Sequence, residues 1–203
     1  MAKSRYNLSE YLSGSMSRFY TGDGDDGDTR IISGGRIRKD SRIINAIGDV
    51  DELNSSIGVA IFYVHEGQSR NELKAVQNVL FSIGAALASA LNKTPAQFRI
   101  TDDDVKNLEE SMERMNKNLP ELTKFVLPGG TEASSHLHLS RAVARRAERS
   151  AVSAFKELDG KENAPVGKNV IRYLNRLSSF LFVCALYINK INDIDESNPV
   201  YRK

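Results

Sequence analysis

Only one cysteine, Cys184, stands among the 203 residues, so no internal disulfide can form and the fold must rest on apolar burial. It falls within the apolar run 180–188, where a free cysteine serves as a small hydrophobe. That run is the most hydrophobic in the chain and far shorter than the ~20 residues of a membrane-spanning helix, so no membrane segment is expected. The opening MAKSRYNLSEYLSGSMSRF has no continuous apolar stretch and lacks the form of a secretory signal, which makes a cytoplasmic location the expectation. An excess of one charge is missing too. With 28 basic and 26 acidic side chains the net charge is +2, too small to recruit nucleic acid or an anionic membrane through a general field. There is no internal repeat and no low-complexity tract.

What is present reads as a folded helical chain. Apolar residues make up 40% and charged residues 27%, the range of ordinary globular proteins, and the length suits one compact core. Near Lys39 the sequence passes from glycine and aspartate punctuation to sustained helical periodicity. Ile43, Ile47, Val50, Leu53, Ile57, Ile61 and Val64 recur every three or four positions and mark a first helix. Leu73, Val76, Leu80, Ile83, Leu87 and Leu91 mark a second, which Pro95 keeps from continuing beyond about Asn92. Thr101 followed by Asp102, Asp103 and Asp104 caps a third, with Val105, Leu108, Met112 and Met115 as its buried stripe. Pro128-Gly129-Gly130 breaks the chain before Thr131, which caps a fourth helix running to about Leu158. A fifth carries Val170, Leu174, Leu177, Leu181, Cys184, Ile188 and Ile191 in nearly heptad spacing. The expected class is all-α: an up-and-down five-helix bundle preceded by a Gly/Asp-rich loop, with only Arg30-Ile31-Ile32 hinting at a strand.

The motifs with chemical potential are few. Thr21-Gly22-Asp23-Gly24-Asp25-Asp26-Gly27 contains a formal G-x-G-x-x-G, whose glycines let backbone amides approach a phosphate. A dinucleotide fold needs a strand before it and a helix after it, and neither is expected here. Gly167-Lys168-Asn169 lacks the hydroxyl and the upstream glycine of a P-loop. An EF-hand counted from Asp23 puts Gly34 where the bidentate glutamate belongs, so no metal site is expected. No Ser-His-Asp or Cys-His arrangement is defensible.

On the fourth helix, His138, Arg141, Arg145 and Glu148 recur at helical spacing. Arg141, Arg145, Arg146 and Arg149 concentrate guanidiniums within a few turns. Such a face is usually a solvated stripe of ion pairs, but forked donors at this density also suit a polyphosphate, each gripping two oxygens. Gly48-Asp49-Val50-Asp51-Glu52-Leu53-Asn54 is a short acidic face able to orient an arginine from elsewhere. Asn175, beside the buried stripe of the fifth helix and near Ser178 and Phe182, is either satisfied locally or used for a ligand.

Taken in order, Tyr20-Thr21 with Gly24-Asp25-Asp26-Gly27, Arg36, Lys39-Asp40, the segment 48–54, Phe125-Val126-Leu127-Pro128-Gly129-Gly130-Thr131, Arg145-Arg146-Ala147-Glu148-Arg149 and Tyr173-Leu174-Asn175-Arg176-Leu177-Ser178 strongly resemble the PduO-type ATP:cob(I)alamin adenosyltransferases. The match runs from Tyr20 almost to Asn189. It divides the chain into an N-terminal extension (1–19), an adenosyltransferase bundle (20–192) and a C-terminal tail (193–203).

The resemblance implies transfer of the 5′-deoxyadenosyl group of ATP to the cobalt of cob(I)alamin with release of triphosphate. It also implies Mg2+ with the ATP, a homotrimer with intersubunit active sites, a corrinoid reductase and a cobalamin-dependent acceptor enzyme as partners, and no role for nucleic acid or membrane. By position it assigns Thr21, Gly22, Asp23, Gly24, Thr29, Arg30, Lys39, Arg145, Arg146, Glu148, Arg149 and Asn175 to ATP. Phe125 and Phe182 go to the corrinoid, and Arg141, Arg145 and Asp51 to catalysis, Asp51 pairing with Arg141 across a subunit boundary. Gly22 stands where the family usually has Lys or Arg, a gap that Arg18, Arg30 or Lys39 would have to fill. An ATP-sensing bundle without transferase activity is the alternative that the residues leave open.

Overall fold

The structure, a computed structural model, describes residues 22–30, 35–90, 98–158 and 164–202. Thr21, Arg18, Ile31, Ile32, Leu91, Asn92 and Pro95 lie outside the described residues. The chain divides into two compact units with the boundary between Lys39 and Asp40.

In the first unit, β1 (Asp28–Arg30) and β2 (Arg36–Arg38) form an antiparallel pair with Thr29 opposite Ile37. Sequence reading placed a strand from Arg30 onward and missed β2. Arg-Ile-Arg offers one apolar residue between two charges, too short an alternation to stand out, and it becomes a strand only because β1 supplies the ladder. Ahead of β1 the chain turns twice. Gly22 (φ 74°) and Gly27 (φ 85°) hold left-handed conformations that a side chain would oppose. Asp25 N–H donates to the Gly22 carbonyl at 3.1 Å, and Lys39 N–H to the Gly27 carbonyl at 2.9 Å.

The second unit is a helical bundle of α1 (Arg42–Tyr63), α2 (Gly67–Ala90), α3 (Asp102–Asn116), α4 (Glu132–Glu157) and α5 (Ala164–Ile191). α4 is central, packed chiefly on α1 and α5; α2 lies against α1, and α3 against α5. The reason is visible in its composition: Ala133, Ala144, Ala147, Ala151 and Ala154 are all buried, and small side chains let two neighbours approach one helix closely. The bulk of the core comes from those neighbours, with Leu53 and Ile57 of α1, Leu73, Leu80 and Leu87 of α2, and Tyr173, Leu174 and Leu177 of α5 fully buried. The expected stripes therefore hold, except that Ile47 and Met112 are half-buried and Ile191 is exposed. Cys184 is buried, and burial pushes its thiol up to about 12, which leaves it inert at neutral pH.

Residues 67–90 and 167–191 are each long and apolar enough, by length and composition, to cross a bilayer, so the run-length argument above does not discriminate. In α5, 56% of that apolar window is buried inside the bundle, where its side chains serve as core.

Both expected caps are made. Thr101 Oγ1 accepts from Asp104 N–H at 3.3 Å, while Asp104 Oδ2 accepts from Thr101 N–H at 2.7 Å. Thr131 Oγ1 accepts from Ser134 N–H at 3.0 Å. Thr101→Ala removes one half of a reciprocal cap and is expected to cost about 1 kcal/mol, read as a lower urea midpoint at unchanged slope.

Candidate active site

Three groups of side chains gather the residues singled out from the sequence. In the first unit, Lys39 Nζ donates to the Gly24 carbonyl at 2.6 Å, the Arg36 guanidinium donates to the Asp23 carbonyl, and Arg30 pairs with the Asp23 carboxylate at 3.0 Å. A Cβ at Gly24 would stand 2.8 Å from Lys39 Nζ, the tip of a flexible side chain that can swing aside. The turn thus draws three cations onto its own backbone and carboxylate.

The second group lies on α4. Arg146, expected among the phosphate-gripping arginines, is held within the bundle: its Nε stands 3.1 Å from Asp49 Oδ1, and it also pairs with Glu52, while the Ser150 hydroxyl donates to Asp49. The acidic face of α1 does orient an arginine, and that arginine is Arg146. Arg145 and Arg149 are exposed and make no ion pair among the described residues, which leaves both forks available. Asp51 is likewise exposed and unpaired among the described residues. Glu148 Oε1 accepts from Asn175 Nδ2 at 2.9 Å, and the Asn175 carbonyl accepts from Ser178 at 2.9 Å, so both polar residues at this edge are set in place by α4 and α5 packing together.

The third group surrounds a cavity of about 570 Å³ lined by Leu122, Lys124, Phe125, Val126, His138, Arg141 and Phe182, among others. Phe125 is 79% exposed, far more than a large apolar ring that serves only the core. Leu122 and Phe182 also line a second cavity of about 430 Å³, bounded further by Leu186, Lys190 and Ile194. The Arg141 guanidinium lies 6.0 Å above the Phe182 ring, and His138 meets the same ring edge-on at 5.9 Å. Arg141 Nε and both imidazole nitrogens of His138 are buried without a hydrogen-bond partner among the described residues.

The face that looked like a uniform polar stripe is therefore divided: His138 is buried and Arg145 exposed. Burial, reinforced by the charge of Arg141, holds the His138 imidazole below its ordinary value near 6.5. A histidine depressed in the folded state binds a proton more readily when unfolded. Its contribution to stability is present in full above about 6.5 and is lost as pH falls from there toward the depressed value. His138→Gln is expected to flatten the decline in unfolding free energy between pH 7 and pH 5, measured by urea titration at each pH.

Two contributors escaped the sequence reading. Ser150 and Asn189 reach partners 101 and 60 residues away, and no local pattern announces a contact at such separation.

A model of the family described as cobalamin adenosyltransferase matches residues 19–188. The chain belongs to that family. The corrinoid adenosyltransferase of Mycobacterium leprae is 40% identical over 185 residues, covering 88% of this chain and 95% of its own length. That of Bacillus subtilis is 36% identical over 184 residues, covering 88% and 90%. Among solved structures, a variant of the PduO-type ATP:corrinoid adenosyltransferase from Lactobacillus reuteri, complexed with cobalamin and ATP, superposes with a TM-score of 0.79 at 32% identity, covering 91% of this chain and 99% of that one. A second variant from the same organism, complexed with ATP, gives 0.77 at 33% identity, covering 91% and 100%. This family membership accounts for the helical bundle.

Proposed function

We propose that this family member transfers the 5′-deoxyadenosyl group of ATP to the cobalt of a reduced corrinoid. The observation that carries the reading is the layout of α4. One helix places Arg141 in the wall of a cavity fronted by the exposed Phe125, and one turn on it presents Arg145 with no carboxylate paired to its fork among the described residues.

In the reaction the cobalt(I) electron pair forms the bond to the 5′ carbon. The bond from that carbon to the triphosphate oxygen breaks, and triphosphate leaves with the bonding pair, so cobalt is formally oxidised to cobalt(III). No protein nucleophile takes part. The protein's share is to hold the two reactants in line and to stabilise charge on the departing triphosphate. Arg145, Arg141 and Arg149 serve the departing triphosphate. Thr21, Gly22, Asp23, Gly24, Thr29, Arg30 and Lys39 supply the glycine-turn part of the nucleotide grip, with Lys39 and Arg30 standing in for the charge absent at Gly22. Arg146 acts by fixing α4 against α1, while Glu148 and Asn175 border the nucleotide. Phe125 and Phe182 give the corrin an apolar seat, and Phe125 excludes a lower axial donor from cobalt, which eases reduction.

Mg2+ arrives with the nucleotide in this reading. The ion is then held mainly by phosphate oxygens and water. Assembly as a homotrimer with intersubunit sites gives Asp51 its partner, Arg141 of a neighbouring subunit. An exposed apolar patch supports it: Phe62 (71% exposed) packs on Tyr63, Tyr63 stacks on His136, and Leu139 (57% exposed) follows one turn on. A reductase must supply the cobalt(I) state and a cobalamin-dependent enzyme must take the product, both in the cytoplasm. We take the catalytic unit as residues 20–192, with 1–19 an extension and 193–203 a tail.

The test is to mix the protein with MgATP and chemically reduced cobalamin and follow corrinoid absorbance for a cobalt–carbon product, with triphosphate as the co-product. ATP binding with no such product would replace this reading with that of an ATP-sensing regulator.

A further inference from the structure

Beyond α5 the chain turns back on the bundle. Asp193 adopts a left-handed conformation (φ 57°), and Ile194 N–H closes the turn on the Asn189 carbonyl at 3.0 Å. The segment then runs along the loop that carries Phe125. Leu127 N–H donates to the Ser197 carbonyl at 2.7 Å, and Asn198 Nδ2 donates to the Phe125 carbonyl itself at 2.9 Å.

Asn189, only 1% exposed, joins the same pieces from below. Its Oδ1 accepts from Thr131 N–H at 3.0 Å, and its Nδ2 donates to the Gly129 carbonyl and to Glu196 Oε1, both at 3.0 Å. A buried amide whose donor and acceptor ends are both engaged fixes its partners in one arrangement, because any displacement leaves a buried polar group unpaired.

The Phe125 ring is mostly exposed, so little packing aims it. Its direction must come from the backbone to which it is attached, and that backbone is held at Phe125, Leu127, Gly129 and Thr131 by residues 189–198. We propose that Asn198 and Asn189 are positioning residues and that the segment 194–198 is a clamp holding Phe125 over the cavity. The purpose of the clamp rests on the transferase reading above, but the clamp itself can be observed without turnover.

The chain contains no tryptophan, so Phe125→Trp introduces a single indole at the loop. Its fluorescence anisotropy is expected to fall when Asn198→Ala, or the near-isosteric Asn198→Asp with no N–H to donate, is added. Asn192→Ala removes a different exposed amide, one bound to the Ile188 carbonyl, and should leave the anisotropy unchanged. With Phe125 restored, Asn198→Asp is expected to raise the KM for corrinoid about three- to tenfold, the range a net hydrogen bond supplies, with the KM for ATP unaltered. Asn198→Gln, which keeps the donor, should recover part of the loss. Unchanged anisotropy in both Asn198 variants overturns the clamp, and an equal rise in both KM values overturns its specific action on Phe125. A fall in anisotropy in a protein that makes no cobalt–carbon product upholds the clamp and removes the transferase reading alone.

Discussion

Arg145→Ala is expected to lower kcat by about a hundredfold or more, the loss associated with removing one donor to charge that develops in a transition state. The reason lies in what surrounds Arg141, Arg145 and Arg146 on α4. Arg146 is committed to Asp49 and Glu52, and Arg141 is drawn over Phe182 in the cavity wall. Arg145 is exposed, carries no ion pair among the described residues, and sits one turn from Arg141. Triphosphate gains charge only as the carbon–oxygen bond breaks, so the loss should fall on kcat rather than on the KM for ATP. Arg145→Lys should recover part of it, since an ammonium keeps the charge without the fork. The check is steady-state turnover with saturating MgATP and reduced corrinoid, and near wild-type kcat in Arg145→Ala would remove Arg145 from the chemistry.

The largest effect on stability is expected at Gly130. Its backbone lies at φ 105°, a region that side chains rarely adopt, and an added Cβ would overlap the Asn189 amide. The two costs act together: a strained backbone of about 1–3 kcal/mol and an intrusion on the buried amide that anchors Gly129, Thr131 and Glu196. Gly130→Ala should therefore destabilise by about 3 kcal/mol or more. Gly129→Ala is the internal control, because nothing stands within 4 Å of its added Cβ. A denaturant titration of both variants settles the comparison, and equal midpoints would show that Asn189 yields easily.

The two variants also mark where sequence reading stops. The glycines before Thr131 were legible as a break ahead of a helix cap, and Thr131 does cap α4. Which of the two glycines is irreplaceable depends on Asn189, 59 residues further on, and nothing between Gly130 and Asn189 encodes that meeting. The acidic run on α1 was legible as a set of carboxylates awaiting an arginine. The choice of Arg146 over Arg145 follows from the rotation of α4 against α1, which alanine packing fixes. β2 was missed because three residues with one apolar side chain carry no period until a partner strand lies beside them. The polar stripe on α4 was read as one face, yet His138 turns inward beside Phe182 while Arg145 turns out. A spacing of seven residues on an α-helix returns to within a few tens of degrees, enough to cross from core to solvent at the edge of a packed face.

The amino-acid sequence alone determined the five helices and their caps, because helical periodicity, hydroxyl caps and glycine breaks act within a few residues along the chain. The ordered motifs, carried at fixed spacings in that sequence, also determined the family. Only the tertiary structure decided which arginine is spent within the bundle and which are left without an ion pair among the described residues, that Phe125 stands exposed at a cavity mouth, and that residues 194–198 return along its loop. Those outcomes depend on contacts between residues tens to a hundred positions apart, and such contacts are set by how helices rotate and pack, which no local pattern specifies.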